Sequence, residues 1–239
     1  MDTITGIKHE NTVSVVICTR NEAANIPHVL PRIPNWIDEI IVVDGNSTDN
    51  TVETVRLCCP KAKIFLQEKQ GKGEALLMGI SEAKGQIIIT LDADGETPPE
   101  EMDNFVRPLM NGYDFAKGSR LSGKRPERMS TFRWFGNKIL ASTCNLLFLT
   151  AFDDICSGYN AFKKEKALAL KLLYKTGEQG CSMEQQMIVR ARKAGMRIIE
   201  VPHTSHGRIS GTSAIEGIVP TIKQGFRDWF LIIGERFRG

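Results

Sequence analysis

Four short runs rich in β-branched and apolar residues recur along the chain, each followed by a segment patterned as a helix: VSVVIC at 13–18, EIIVV at 39–43, KIFL at 63–66 and QIIITL at 86–91. The first does not alternate between apolar and polar residues, which suits a strand covered on both faces of a parallel sheet. Helical segments follow at 22–30, then behind the N-cap chemistry of Ser47-Thr48-Asp49 with Val52, Val55 and Arg56, then at 73–83, and at 98–110 after prolines. This rhythm predicts an α/β fold with a doubly wound, mainly parallel sheet, whose ligands sit beyond the carboxyl ends of the strands. The loops after strands one, two and four are therefore the places to look. A strand at 113–117, helices near 135–149, 163–173 and 182–194, a turn region at 153–159 and a strand at 197–201 complete the pattern.

A chain of 239 residues fits one such domain. Its net charge of +3 is too small for a nucleic-acid footprint. The six cysteines lack CxxC pairing and read as free, mostly buried thiols rather than a zinc or disulfide framework. Residues 1–12 are polar where a signal peptide needs an apolar run, and no stretch approaches the ~20 apolar residues that span a bilayer. The expectation is a cytoplasmic protein with at most peripheral membrane contact. Near the C-terminus, Ile215, Ile218, Val219, Ile222, Phe226, Phe230, Ile233 and Phe237 fall at three- and four-residue steps, with Lys223, Arg227, Arg236 and Arg238 beside them. Such a helix either docks on the core or lies on anionic lipid.

Chemistry concentrates in Leu91-Asp92-Ala93-Asp94-Gly95-Glu96. Asp92, Asp94 and Glu96 can hold a hard divalent cation through oxygen while leaving positions open for phosphate, and a cation on a diphosphate stabilises the charge of a leaving nucleotide. The plainer alternative is that these acids cap the helix that follows. Asp44, ending strand two, can accept hydrogen bonds from a ribose or a base edge. Thr19, Arg20, Asn21 and Glu22 add a polar cluster at the same sheet edge, and Gln70-Gly71-Lys72-Gly73 adds a flexible loop with a phosphate-neutralising cation. Neither GxxxxGK[ST] nor a GxGxxG after strand one is present, which removes a P-loop and a dinucleotide oxidoreductase. Residues 118–133 read as a mobile cationic loop. His203 and His206 suit either a metal or phosphate site or plain surface packing.

In order and spacing, VVICTRNEAANIP, IIVVDGNSTDNT, QGKGEALLMGISEAKGQIIITLDADGETPPE, GSR, DDICSGYNAF and EVPHTSHGRISGTS resemble glycosyltransferase family two, with its GT-A nucleotide-sugar fold. Within it they are most similar to the dolichyl-phosphate mannose synthase and polyprenyl-phosphate glycosyltransferase type. The resemblance implies a tail at 1–12, a GT-A domain at 13–212 and a C-terminal amphipathic helix at 213–239. It implies a metal-dependent, inverting hexose transfer from a UDP- or GDP-sugar to a polyprenyl or dolichyl phosphate, at the cytoplasmic face of a membrane. By similarity Glu22 and Asp44 contact the nucleoside, Cys18 and Arg20 line its pocket, and Lys72 and Ala93 border the donor. Asp92, Asp94 and Glu96 then bind Mg2+ or Mn2+, Arg120 and Arg208 face donor or acceptor phosphate, and Arg128, Arg133 and Asn137 belong to an acceptor loop. Departures from the family pattern, Asn46 within Asp44-Gly45-Asn46-Ser47, Arg133 in place of a serine and Ala214 in place of a lysine, fall mostly on the acceptor side.

A lipid phosphate is already anionic and needs no general base, whereas a sugar hydroxyl needs a carboxylate, for which Asp153, Asp154 and Glu184 are candidates. A glycan or other hydroxyl acceptor is thus the second reading. A non-catalytic nucleotide-sugar binding module or a nucleotidyltransferase is the third. The sequence sets no oligomeric state.

Overall fold

A computed structural model describes residues 11–122, 126, 129–172, 182–212 and 217–238. Its seven strands are β1 (Val13–Thr19), β2 (Glu39–Asp44), β3 (Lys63–Leu66), β4 (Ile87–Asp92), β5 (Phe115–Ser119), β6 (Asn160–Lys163) and β7 (Ile198–Pro202). They form one sheet in the order β3-β2-β1-β4-β6-β5-β7. All run parallel except β6, which is antiparallel to β4 and β5 on its two sides. The doubly wound, mainly parallel sheet expected from the strand rhythm is present. Strand β6 falls mostly between the turn region at 153–159 and the helix expected from 163, because Asn-Ala-Phe-Lys is too short to show a period; the ladders on both sides make it a strand.

Among the described residues eight α-helices surround the sheet: α1 (Ile26–Val29), α2 (Thr51–Cys58), α3 (Lys72–Glu82), α4 (Met102–Met110), α5 (Thr131–Phe148), α6 (Lys164–Ala169), α7 (Ser182–Lys193) and α8 (Ile218–Phe237). The helix expected over 22–30 shortens to one turn and a following 3-10 turn, Leu30–Arg32. Pro27 lacks an N–H and is tolerated only in the first turn, so a helix begun at 22 cannot run through it, and Pro31 sits in the 3-10 turn that follows. Helix α2 starts later than the Ser47 cluster because Asp49 instead accepts from the backbone N–H of Thr51 at 3.0 Å. The helix expected over 163–173 keeps only 164–169 among the described residues.

One apolar layer packs Val13, Val15 and Ile17 against Met102, Phe105 and Val106 of α4. The other packs Val16, Ile41 and Val43 against α3, α5 and α7. Gly79 of α3 sits so close to the sheet that an added Cβ would lie 3.2 Å from Val43 and nearer still to Val16.

Helix α8 is turned in an unusual sense. It buries Asp228, Ile232 and Glu235, while Ile218, Val219, Ile222, Phe226, Phe230 and Phe237 are exposed. Its docking joins Ile232, fully buried in the core with Trp229 packed against the same cluster, to polar anchors: Arg190 of α7 grips Glu235 through Nη2 at 2.8 Å and Nε at 3.1 Å, and Ser182 Oγ donates to Asp228 at 2.6 Å. Trp229 Nε1 adds a bond to Thr143 of α5 at 3.1 Å. The helix thus docks on the core through one side, as the first alternative has it, and presents most of its apolar residues outward. Ile215 lies outside the described residues.

Candidate active site

Parallel pairing lines up the ends of three strands. Thr19 of β1 is opposite Asp44 of β2, and Cys18 is opposite Asp92 of β4. Loops from different parts of the chain therefore converge at one edge, as expected for this topology. Asp44 is buried there and accepts from Ser47 N (2.8 Å), Ser47 Oγ (2.5 Å) and Thr19 Oγ1 (3.2 Å). It thereby shapes the loop of Gly45 and Asn46, the latter in the left-handed region at φ 57. Arg20 is exposed beside this loop. Burial pushes the Cys18 thiol up to about 12, so it is a packing group rather than a nucleophile.

The acid loop sits at the centre. Lys72, first residue of α3 behind Gly71 at φ 118, reaches Asp92 Oδ1 at 2.7 Å and Glu184 Oε1 at 3.0 Å. Burial works to raise the Asp92 carboxyl, but the ammonium of Lys72 outweighs it and holds the group below its ordinary value. Gly158 leaves room for this pair, since a Cβ there would lie 2.6 Å from Asp92 Oδ2. Ala93 packs into the core. Asp94 behaves oppositely: burial, with the charges of Asp92 and Glu96 added, pushes its carboxyl up to about 7.

A strap leaving β7 lies over this loop. His206 N donates to Glu96 O at 2.7 Å and Ile209 N to Asp94 O at 3.3 Å. Arg208 pairs through Nη1 with Asp94 Oδ2 at 3.4 Å and through Nη2 with Glu22 Oε1. Gly95, at φ 76, lies directly beneath the Ile209 side chain, which leaves no space for a larger residue.

An oxygen-only, anionic donor set suits Mg2+ or Mn2+. Burial, with the charges of Asp92 and Glu96 added, makes a bare Asp94 carboxylate unfavourable there, a cost that a divalent cation relieves. These residues fit the cation in kind. Yet among the described residues no three His, Cys, Asp or Glu side chains converge as a ligand cluster. Asp92 is engaged by Lys72 and Asp94 by Arg208, so the expected triad is not assembled in this state.

On the other side of Asp92 stands a second charged unit. Asp154 is fully buried and takes Arg120 bidentately, Nε to Oδ2 at 2.7 Å and Nη2 to Oδ1 at 3.0 Å. Asn137 Nδ2 at 2.9 Å and Cys156 N at 2.8 Å also donate to it. Although burial opposes ionisation, Arg120 holds the Asp154 carboxyl far below the usual range. With its lone pairs occupied, Asp154 anchors Arg120 and does not serve as a proton acceptor, which corrects one expectation for a base. Asp153 is half-buried and accepts from Lys138 Nζ at 2.9 Å. Glu184 is buried, and its Oε2 has no hydrogen-bond partner among the described residues.

His203 is buried, bonded to Ser157 Oγ at 2.9 Å and to Thr204 O through Nδ1 at 2.8 Å, and burial pushes it down to about 4. It is a neutral, satisfied packing residue, so the metal or phosphate alternative falls away for it. Sequence reasoning missed Lys117, fully buried and donating to the carbonyls of Gly118 (3.0 Å) and Ser157 (2.9 Å). It braces the turn that brings Gly158 to Asp92. Its isolated charge within a strand was the only available hint.

Also unseen from sequence is a cavity of about 740 Å³ between α5 and α8. It runs from Arg120, Asn137, Cys156 and Gln185 past Leu140 to exposed Phe132, Phe135 and Phe226. Arg133 lines it as well, while Arg128 lies outside the described residues.

The sequence pattern of the family described as Glycosyl transferase family 2 matches residues 14–169. A Haloferax volcanii protein named glycosyltransferase AglJ is 30% identical over 207 residues, covering 84% of this chain and 65% of its own. A dolichol-phosphate mannosyltransferase of Pyrococcus furiosus is 30% identical over 215 residues, covering 86% and 59%. The chain thus spans less than two thirds of the length of these two relatives. Among solved structures, glucosyl-3-phosphoglycerate synthase from Mycobacterium tuberculosis, crystallised with Mn2+, UDP and glucosyl-3-phosphoglycerate, superposes with a TM-score of 0.71 at 22% identity, over 95% of this chain and 80% of that one. That likeness is one of fold.

Proposed function

Given that the chain belongs to glycosyl transferase family 2, we propose that it moves a hexose from a UDP- or GDP-sugar to a polyprenyl or dolichyl phosphate at a membrane face. The observation that carries this reading is the apolar cavity leading from Arg120 to the outward-facing aromatic residues of α5 and α8. An apolar cavity with a largely buried guanidinium in its lining has the chemistry to take an anionic head on a long apolar tail. The exposed apolar face of α8, flanked by Lys223, Arg227, Arg236 and Arg238, supports peripheral contact with anionic lipid. No helix among the described residues is long and apolar enough to cross a membrane.

Asp44, Glu22 and Arg20 border the nucleoside end of the site. Asp92, Asp94 and Glu96 would hold Mg2+ or Mn2+, which when bound offsets the charge on the diphosphate. In the transfer, an acceptor phosphate oxygen bonds to the anomeric carbon while the bond from that carbon to the diphosphate oxygen breaks, inverting the centre. Arg120, held rigid by Asp154, faces the acceptor phosphate, and Arg208 faces the departing diphosphate. Preorganised cations of this kind stabilise charge as it develops. No proton need be removed from a phosphate that is already anionic.

A hydroxyl acceptor remains the second reading, favoured by one observation: the buried Glu184 Oε2 lacks a hydrogen-bond partner among the described residues and is placed to take a proton. Family membership speaks against the nucleotidyltransferase and non-catalytic readings. The test offers UDP- and GDP-sugars with polyprenyl phosphate in detergent and follows sugar into the organic phase. Transfer by the native chain, its loss in Asp94→Ala and its retention in Glu184→Gln are expected. Transfer to hydroxyl acceptors alone, abolished by Glu184→Gln, would replace the lipid-phosphate reading.

A further inference from the structure

Two of the three acids of the cation loop are already neutralised by cations of the chain itself, Asp92 by Lys72 and Asp94 by Arg208. The second pairing is the looser. Arg208 Nη1 stands 3.4 Å from Asp94 Oδ2, while its Nη2 holds Glu22 closely and its Nε donates to Ser210 O at 2.8 Å. Its side chain is 19% exposed, so the guanidinium can be reached by a ligand. We propose that Arg208 is the internal counter-ion of the donor site, and that nucleoside diphosphate and divalent cation bind cooperatively because the diphosphate draws this guanidinium away from Asp94.

The strap that carries Arg208 is stitched down by backbone, not by its charge. His206 N bonds to Glu96 O at 2.7 Å, Ile209 N to Asp94 O at 3.3 Å, and Asn25 Nδ2 reaches Ser210 O at 3.1 Å. The side chain can therefore change partners without the strap lifting. A planar guanidinium binds a diphosphate bidentately and more strongly than it holds one oxygen at long range. A cation arriving alone must compete with Arg208 for Asp94. One arriving with the diphosphate finds Asp94 released, and each ligand then raises the affinity of the other equally. Glu22 competes with Asp94 for the same guanidinium, so it weakens the latch. This makes the two residues opposite in sign: removing Arg208 frees Asp94, whereas removing the charge of Glu22 commits Arg208 to Asp94.

The inference rests on the proposed use of Asp94 as a cation ligand in a nucleotide-sugar site. Its test is titration of the purified chain with Mn2+, read from the spin-resonance signal of the free ion at pH 8, with and without UDP or GDP. Arg208→Gln should bind Mn2+ alone about fivefold more tightly than the native chain, and nucleotide should then add less to that affinity, the factor being at the low end of measured couplings between sites. Glu22→Gln should bind Mn2+ alone more weakly, and this arm stands on its own if the first variant does not fold. Equal Mn2+ affinities in the native chain and both variants, with nucleotide still promoting uptake, would overturn the latch and leave the donor site standing. No Mn2+ uptake by any of the three, even with nucleotide, would overturn the metal-dependent donor site and the latch with it.

Discussion

Asp154 and Asp94 are carboxylates in opposite states: burial raises both, and the difference is one of partners. Asp154 is fully buried, yet Arg120, Asn137 and the Cys156 amide complete its shell. Removing one member of such a buried pair strands the other charge, so Asp154→Asn should cost about 3–5 kcal/mol in urea unfolding. Transfer should fall as well, since Arg120 loses its orientation. Asp94 has acids on both sides, and its carboxyl is pushed up to about 7 from an ordinary 3.8. A carboxyl raised on folding binds more protons in the folded state, so it subtracts stability as pH rises from about 4 to 7 and no more above that. In chelator, Asp94→Asn should therefore be more stable than the native chain at pH 8, with the advantage vanishing towards pH 4. Thermal midpoints across that range check this, and a constant difference would contradict the assigned cause.

Helix α8 inverts the usual arrangement, because its buried positions are Asp228, Ile232 and Glu235. The ion pair of Glu235 with Arg190 fixes it on α7, and Glu235→Ala should destabilise the chain by about 3 kcal/mol by leaving Arg190 without its partner. The outward Phe226 and Phe230 do the reverse. Phe226→Asp with Phe230→Asp should leave the unfolding midpoint nearly unchanged, because both side chains are exposed, and should abolish sedimentation with anionic vesicles. Loss of fold in that double variant would instead mark α8 as part of the core. Short elements follow a different logic. β6, four residues long, exists because β4 and β5 offer it ladders on both sides.

At the scale of the molecule, parallel register gathers Cys18, Asp44 and Asp92, and the crossing of α5 with α8 makes a cavity open to the same edge. Charge on that face is local: Lys223, Arg227, Arg236 and Arg238 are exposed on one helix of a chain whose net charge is only +3. Attraction of these groups to anionic lipid is screened beyond about 10 Å at 0.1 M salt. Vesicle binding should therefore fall several-fold between 0.05 and 0.5 M salt and approach a floor set by apolar insertion. Binding indifferent to salt would assign the whole contact to the aromatic residues.

The strand rhythm, the acid loop after β4, Asp44 after β2 and the basic residues Arg120 and Arg208 were all legible in the linear chain, because each follows from local pattern or from a place at a strand end. Boundaries slipped where prolines and side-chain caps, at Pro27 and Asp49, outweighed helical periodicity. Partnership was not legible. That Asp154 serves Arg120, that His203 is a neutral packing group, and that Lys72 and Arg208 occupy the acids of the cation loop depend on residues 34, 46, 20 and 114 positions apart. The outward turn of α8 belongs to the same class: its sequence sets which side is apolar, but only the pairing of Glu235 with Arg190 decides which side faces the protein. Local chemistry fixes which groups a chain owns, whereas long-range packing decides which of them are already satisfied and which are left for a ligand.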